Sequence, residues 1–230
     1  MGTKRTIKAV IFDFDGLVVD TESPAFEAWS SIYREYDQEL SLDLWVQCVG
    51  SSTAMFDPIT HLASLVGREL DRQALLQEKE RRKHAVCLRQ PLMPGVLERL
   101  EEIKALGLQA AVASSSSRQW IELHTSRLGI TGYFAACRTG DDVERVKPSP
   151  DLYLAAAQAL GEKPQHCLAF EDSLNGVKAA KAAGMACFAV PNQITKHLDF
   201  TEADGILTSL AGCTVHALVR DLERLNTVES

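Results

Sequence analysis

The chain has 230 residues with a net charge of −7, and 46% of its residues are hydrophobic. A chain of this length can bury a large core, either as one domain or as a core domain with a smaller companion. The acidic balance argues against a general electrostatic grip on nucleic acid or on an anionic membrane. Neither partner is predicted, and a phosphate-bearing ligand must therefore be held by local groups.

The six cysteines predict reduced thiols. They are scattered singly, without a CxxC pair, in a chain too large to depend on disulfides, and this indicates a cytoplasmic protein. No apolar stretch approaches the length of a membrane-spanning helix. The sequence leaves the oligomeric state open, and a monomer is compatible with it.

Four short runs are apolar on both faces, as expected for strands buried in a parallel sheet. They are residues 8–12, 108–113, 167–170 and 186–190. Helical patterns lie between them, and two of these patterns stop at Gly161 and Gly184, the usual residue just past a last turn. This alternation predicts an α/β fold with a doubly wound parallel sheet.

The segment from about residue 22 to residue 92 breaks the alternation. It has helical patterns with no comparably apolar strand run between them, at residues 25–35, 55–65 and 71–88. We therefore predict a helical insertion, residues 21–92, between two parts of a core, residues 1–20 and 93–230. The predicted joints are residues 20–23 and 90–95.

Polar side chains follow three of the predicted strands, and a lysine lies in a proline-containing loop between the second and third of these. The set consists of Asp13, Asp15, the serines 114–117, Lys147, Glu171 and Asp172. Each alone has an ordinary explanation as a turn, helix-cap or surface residue. Ligands collect at the carboxyl ends of strands in open α/β sheets, and no structural need couples these places, so together they predict a site.

Phosphoryl-transfer chemistry gives these residues a joint task. Asp13 and Asp172 are hard oxygen donors that suit Mg²⁺, which prefers one or two carboxylates together with a substrate phosphate. An ionised Asp13 could attack phosphorus, while Lys147 and the Ser114 hydroxyl meet the charge on the phosphoryl oxygens. Asp15, two residues further on, could act as a general acid and base on the leaving oxygen and the attacking water.

Four motifs resemble those of the haloacid dehalogenase superfamily, in the same order. They are FDFDG at 12–16, Ser114 after AVA, Lys147-Pro148, and EDS at 171–173. The runs DGLVVDTE, VKPSPDLY and FEDSLNG are similar to the branch that contains β-phosphoglucomutase and small sugar-phosphate phosphatases. The resemblance implies a Rossmann-like core with an inserted helical cap.

The resemblance also implies site roles. Asp13 would form an aspartyl-phosphate intermediate, Asp15 would be the acid/base, and Ser114 and Lys147 would bind the transferring phosphoryl group. Mg²⁺ would be held by Asp13, the backbone carbonyl of Asp15 and Asp172, with Glu171 acting directly or through water. Further predicted substrate contacts are Ser115, Ser116, Asn175 and Gly50.

Departures from the family pattern bear on the reaction. True dehalogenases lack the second aspartate that Asp15 provides, and the phosphonatase relatives need a cap lysine that residues 22–35 do not contain. β-Phosphoglucomutase has a histidine where this chain has Ala25, and its arginine after the cap glycine is unmatched after Gly50. Hydrolysis of a small phosphorylated metabolite is therefore the leading hypothesis, ahead of a mutase and of a non-catalytic binding protein.

Two parts of the insertion have open interpretations. The segment 45–53 either discriminates between substrates or simply connects helices, with Trp45 in the core of the insertion. The charged run 78–84, EKERRKH, could supply a second phosphate site through Lys79, Arg82 or Lys83. Its mixed charges favour a solvated helix face instead.

Overall fold

The computed structural model describes residues 6–46 and 56–228, with side chains up to residue 222. Its centre is a parallel sheet with the order β3-β2-β1-β4-β5-β6. The strands are β1 (Ala9–Phe12), β2 (Gln109–Ala113), β3 (Ala136–Arg138), β4 (Cys167–Glu171), β5 (Ala186–Ala189) and β6 (Gly205–Ile206). This arrangement confirms the predicted α/β fold.

All four predicted strands form, each within one residue of its predicted ends. Two edge strands, β3 and β6, were not predicted. β3 has three residues, all half-buried, and β6 has two, so neither carries the continuous apolar run that marks the central strands.

Helices cover both faces of the sheet and fill the insertion. They are α1 (Glu22–Arg34), α2 (Leu42–Trp45), α3 (Pro58–Val66), α4 (Arg72–Cys87), α5 (Val96–Ala105), α6 (Arg118–Arg127), α7 (Asp151–Ala159), α8 (Leu174–Ala182) and α9 (Val215–Val228). On one face Val10 and Phe12 pack against α5 and α9, and on the other Ala9 and Ile11 pack against α7 and α8. Burial on two faces explains why the central strands are uniformly apolar.

The insertion has its own apolar cluster, which includes Trp29, Tyr33, Trp45 and Leu62. Ile194, from the segment after β5, is buried in the same cluster. The chain enters and leaves the insertion side by side, because the Met93 amide donates to the Val18 carbonyl at 2.9 Å. The division into a core and a cap with hinges at these joints stays a prediction.

The described cysteines are free thiols, and three of them, Cys87, Cys167 and Cys187, are buried. Within the described ranges, no helix combines the length and the apolar character that crossing a bilayer requires.

Candidate active site

The carboxyl edge of the sheet brings together side chains from separate parts of the chain. Asp13 directly follows β1, Glu171 ends β4 and Asp172 follows it, and all three are buried. The Asp13 amide donates to the Phe170 carbonyl at 3.0 Å, which fixes the end of β1 against β4. Lys147 reaches the same place from the loop between β3 and α7 and is only 7% exposed.

Lys147 joins two of these carboxylates. Its Nζ donates to Asp13 Oδ1 and, at 2.5 Å, to Glu171 Oε1. Glu171 is also held by the Tyr153 hydroxyl, which donates to Oε1 at 2.6 Å, and by the Ser173 hydroxyl, which donates to Oε2 at 3.1 Å. The ammonium therefore has a fixed position beside Asp13, since the residue that anchors it is itself anchored.

The cluster carries more negative than positive charge. Burial raises the pKa of Asp13 well above its ordinary value; Lys147 opposes this shift, and the charges of Glu171 and Asp15 add to it. Burial likewise raises the pKa of Asp172, with Asp13 and Glu171 as further causes. For Lys147, burial lowers the pKa, but Asp13 and Glu171 more than offset this and hold it above the usual range. One ammonium thus leaves an excess of buried negative charge.

A divalent cation fits this excess charge. Asp13, Glu171 and Asp172 each offer a carboxylate oxygen, and these atoms lie within 4.8 Å of one another. Oxygen-only donor sets suit Mg²⁺ and Ca²⁺ rather than softer metals. Both oxygens of Glu171 already accept hydrogen bonds from protein donors, which leaves Asp13 and Asp172 as the less engaged pair.

Asp172 is oriented by an asparagine that the sequence analysis did not select. Asn192 Nδ2 donates to Asp172 Oδ2 at 2.7 Å and to the Gly16 carbonyl at 3.3 Å. Gly16 has a φ of +81°, and a Cβ there would lie 2.1 Å from Asp172 Oδ2. Only glycine permits both this backbone conformation and the close approach of the carboxylate.

Asp15 has a separate set of partners. Its Oδ2 accepts from the Ser116 hydroxyl at 2.7 Å and from the Ser114 hydroxyl at 3.1 Å. Its Oδ1 accepts from Trp120 Nε1 at 2.8 Å. The turn after β1 therefore directs Asp13 towards Lys147 and Asp15 towards the loop after β2.

The other predicted contacts differ in their surroundings. Ser115 lies in the loop after β2 with an exposed side chain, and Asn175 is half-buried in the first turn of α8. Gly50 and residues 47–55 as a whole lie outside the described residues. Trp45 is buried in the cluster of the insertion, 6.3 Å from the Phe26 ring, as in the helix-connection interpretation.

The charged run 78–84 is not uniformly a solvated face. Glu78 binds Arg81 and Arg82 in pairs on the surface of α4. Lys83 is half-buried, however, and its ammonium lies 5.3 Å from the centre of the Trp120 ring. For Lys83 the interpretation as a solvated face is therefore wrong.

Three residues at the site were missed by sequence reasoning: Tyr153, Asn192 and Trp120. Asn192 had a usable signal, because it follows the predicted strand 186–190 and so belongs to the same sheet edge. Trp120 had a weaker one, since it lies in the first turn of the helix after the serine loop. Tyr153 lies inside a helix, and nothing in its pattern indicates that its hydroxyl contacts Glu171.

Gly176 provides a test of how tightly Glu171 is held. A Cβ at Gly176 would lie 1.8 Å from the Glu171 carboxyl carbon, so we expect Gly176→Ala to displace that side chain and cost about 1–3 kcal/mol of unfolding free energy. Urea unfolding measures this cost. Gly132→Ala is the matched control, because nothing lies within 4 Å of a Cβ there. Equal stability of the two variants would contradict the close packing of Glu171.

The buried carboxylate cluster and Lys147 lie at the carboxyl edge of the parallel sheet, where α/β proteins bind their ligands, and their charges suit a site for a cation and a phosphate. Residues 7–184 match the family model described as haloacid dehalogenase-like hydrolase. The chain therefore belongs to the haloacid dehalogenase-like hydrolases.

Relatives of known name agree with this assignment. YhcW of Bacillus subtilis, which carries the name of a phosphatase, is 41% identical over 96% of this chain and 100% of its own length. The phosphorylated carbohydrates phosphatase of Thermotoga maritima is 33% identical, over 78% of this chain and 82% of that protein. A solved HAD family hydrolase from Deinococcus radiodurans, with bound phosphate and sodium, is 28% identical; the match covers 95% of this chain and 97% of that one, with a TM-score of 0.78.

Proposed function

We propose that the protein is a Mg²⁺-dependent phosphatase that hydrolyses a small phosphate monoester through an aspartyl-phosphate intermediate on Asp13. The observation that carries the proposal is the geometry around Asp13. A buried carboxylate is held by the Lys147 ammonium, with oxygens of two further carboxylates within 4.8 Å and Asp15 two residues away along the turn. A nucleophile, a positive charge and an acid/base are thereby within one small site.

The first step forms the phosphoenzyme. Lys147 fixes the Asp13 carboxylate, and one oxygen of this carboxylate attacks phosphorus. The bond between phosphorus and the ester oxygen breaks, and its electron pair stays on that oxygen. Asp15 gives its proton to this oxygen, so the product leaves as a neutral alcohol. Lys147 and the Ser114 hydroxyl bind the phosphoryl oxygens.

The second step restores the enzyme. Water attacks the phosphorus of the aspartyl phosphate and gives a proton to Asp15. The bond between phosphorus and the Asp13 oxygen breaks, which releases inorganic phosphate and returns the Asp13 carboxylate. Asp15 thus ends the cycle protonated, as it began.

The proposed ligands of the Mg²⁺ are Asp13, Asp172 and the backbone carbonyl of Asp15. Glu171 would contribute directly or through water. When bound, the cation lowers the cost of the buried negative charge and polarises the phosphoryl group. Asn192 keeps Asp172 in place for this role through its hydrogen bond to Oδ2.

The substrate class proposed is a phosphorylated sugar or a related small metabolite. The name of the Thermotoga maritima relative supports this class.

The helical insertion, residues 21–92, would act as a cap that covers the core at residues 1–20 and 93–230. The proposed further substrate contacts are Gly50, Ser115, Ser116 and Asn175. A cap of this kind excludes water during phosphoryl transfer.

Phosphate release from a panel of sugar phosphates tests the proposal. The panel contains pentoses and hexoses that are phosphorylated either at C1 or at the terminal carbon. Each compound is incubated with the protein in the presence of added Mg²⁺ or of a chelator. We expect Mg²⁺-dependent release from at least one sugar phosphate. Absence of metal-dependent release from every compound would overturn the proposal, and conversion of a 1-phosphate to its 6-phosphate without free phosphate would indicate the mutase.

A further inference from the structure

The partners of the Asp15 carboxylate come from two different elements. Ser114 and Ser116, in the loop after β2, bind Oδ2, whereas Trp120, in the first turn of α6, donates its indole N–H to Oδ1. We propose that Trp120 is a positioning residue for Asp15 and that it couples the orientation of this carboxylate to helix α4 of the insertion. This inference rests on the proposed function, in which Asp15 is the acid/base.

The indole N–H is suited to this role. It is a donor only, it lies at the edge of a rigid ring, and its direction is fixed once the ring is packed. Binding of Oδ1 by Trp120 and of Oδ2 by Ser116 constrains the rotation of the carboxyl group. A general acid must lie within hydrogen-bond reach of the leaving oxygen, and displacements of about 1 Å can cost up to about a hundredfold in rate.

The Trp120 ring is itself held from two sides. The His124 ring, one turn along α6, lies 4.2 Å away between ring centres. Helix α4 supplies the other contacts: the His84 ring at 5.5 Å and the Lys83 ammonium at 5.3 Å from the Trp120 ring centre. Trp120 therefore contacts Asp15 with its N–H and helix α4 with its ring.

Lys83 belongs to this contact by charge as well as by position. Burial lowers the pKa of Lys83, but the charges of Asp15, Glu22 and Glu80 more than offset this and keep the group cationic. A cation over the face of an indole ring is an attractive contact, and it is stronger when the cation is partly desolvated. The position of helix α4 thus bears directly on the ring that orients Asp15.

The role predicts a dependence on the leaving group. Phenyl phosphate releases a poor leaving group that needs a proton, whereas p-nitrophenyl phosphate releases one that departs largely unaided. A variant with a misplaced Asp15 should therefore lose kcat/KM for phenyl phosphate and largely keep it for p-nitrophenyl phosphate. A merely structural defect at Trp120 would lower both values by the same factor.

The experiment measures kcat/KM for both compounds in the full-length protein with saturating Mg²⁺. Trp120→Phe removes the N–H, and benzothienylalanine introduced at position 120 removes it while keeping the shape of the bicyclic ring, in case the smaller ring perturbs folding. For both we expect about a tenfold loss with phenyl phosphate, because a displacement of the acid by a fraction of an ångström costs part of the roughly hundredfold loss expected for 1 Å, and less than about twofold with p-nitrophenyl phosphate. Asp15→Asn should show the same selective loss of kcat/KM with phenyl phosphate, by a larger factor.

Gln119→Ala, at an exposed position on the same helix, is the control, and its ratio of the two kcat/KM values should stay at the wild-type level. His84→Ala and Lys83→Met each remove a contact between helix α4 and the ring, and both should lower this ratio in the same direction as Trp120→Phe, by a smaller factor. A wild-type ratio in both α4 variants would overturn the coupling to helix α4. The position-120 variants could lose kcat/KM equally for the two compounds while Asp15→Asn loses it mainly for phenyl phosphate. That result would overturn the role of Trp120 and leave the acid role of Asp15 intact. Equal losses of kcat/KM for the two compounds in Asp15→Asn would overturn the acid role of Asp15, and the inference about Trp120 with it. If the wild type turned over neither these compounds nor any sugar phosphate, the proposed function itself would fail.

Discussion

Asp13→Asn is expected to lower kcat by roughly 10⁴-fold or more, to the level of background hydrolysis, since the amide cannot form the phosphoenzyme. Phosphate release from the best sugar phosphate of the panel measures this loss. The replacement is nearly isosteric, and Lys147 keeps its second carboxylate partner, Glu171. The loss should therefore be chemical rather than structural.

Stability provides the control for this variant. Burial holds the pKa of Asp13 above its ordinary value, so the ionised side chain opposes folding at neutral pH when no cation is bound. Asparagine removes that charge, and we expect Asp13→Asn to unfold at or above the wild-type temperature in the presence of a chelator. A variant that kept more than a few per cent of the activity would contradict the role of Asp13 as nucleophile.

Lys147→Met is expected to have the largest effect on stability. It removes the ammonium that pairs with both Asp13 and Glu171 and leaves these two buried carboxylates without it. Breaking a buried pair from one side costs about 3–5 kcal/mol of unfolding free energy. Urea unfolding in the presence of a chelator measures the cost, and Lys163→Met, at an exposed position, is the matched control.

The cost of Lys147→Met should depend on pH in a known direction. Loss of the ammonium raises the pKa of Asp13 further, and an acid with a raised pKa in the folded state opposes folding increasingly as the pH rises above its unfolded value. We expect the deficit relative to wild type to be smaller at about pH 5 than at about pH 8. A deficit that was constant between these values, or larger in acid, would contradict the charge argument.

The central strands and the site could be predicted from the sequence for the same physical reason. A parallel strand covered on both faces needs a continuous apolar run, and the polar residues that end such runs must lie at one edge. Asp13, Ser114 and Glu171 were selected in this way; in the structure Asp13 and Glu171 share Lys147, and Ser114 contacts Asp15. The short edge strand β3 carries no such run, so the sequence offered no signal for it.

The residues that the sequence analysis missed hold other site residues in place. They are not charged residues that follow the end of a strand. Tyr153 and Trp120 lie in helices, and what matters is the direction of a hydroxyl or an indole N–H, which a pattern of apolar and polar positions does not specify. Lys83 was assigned to a solvated face because its neighbours in sequence are charged. Its proximity to Trp120 depends on how helix α4 lies beside the core.

The measurement that tests the account most directly is the trapping of the phosphoenzyme. The wild type is quenched in acid during turnover of p-nitrophenyl phosphate, reduced with borohydride, digested and analysed by mass spectrometry. Reduction of an aspartyl phosphate converts the aspartate to homoserine, and we predict this conversion at Asp13 alone, and only when substrate was present. Modification at Asp15 or Asp172 in place of Asp13 would contradict the account.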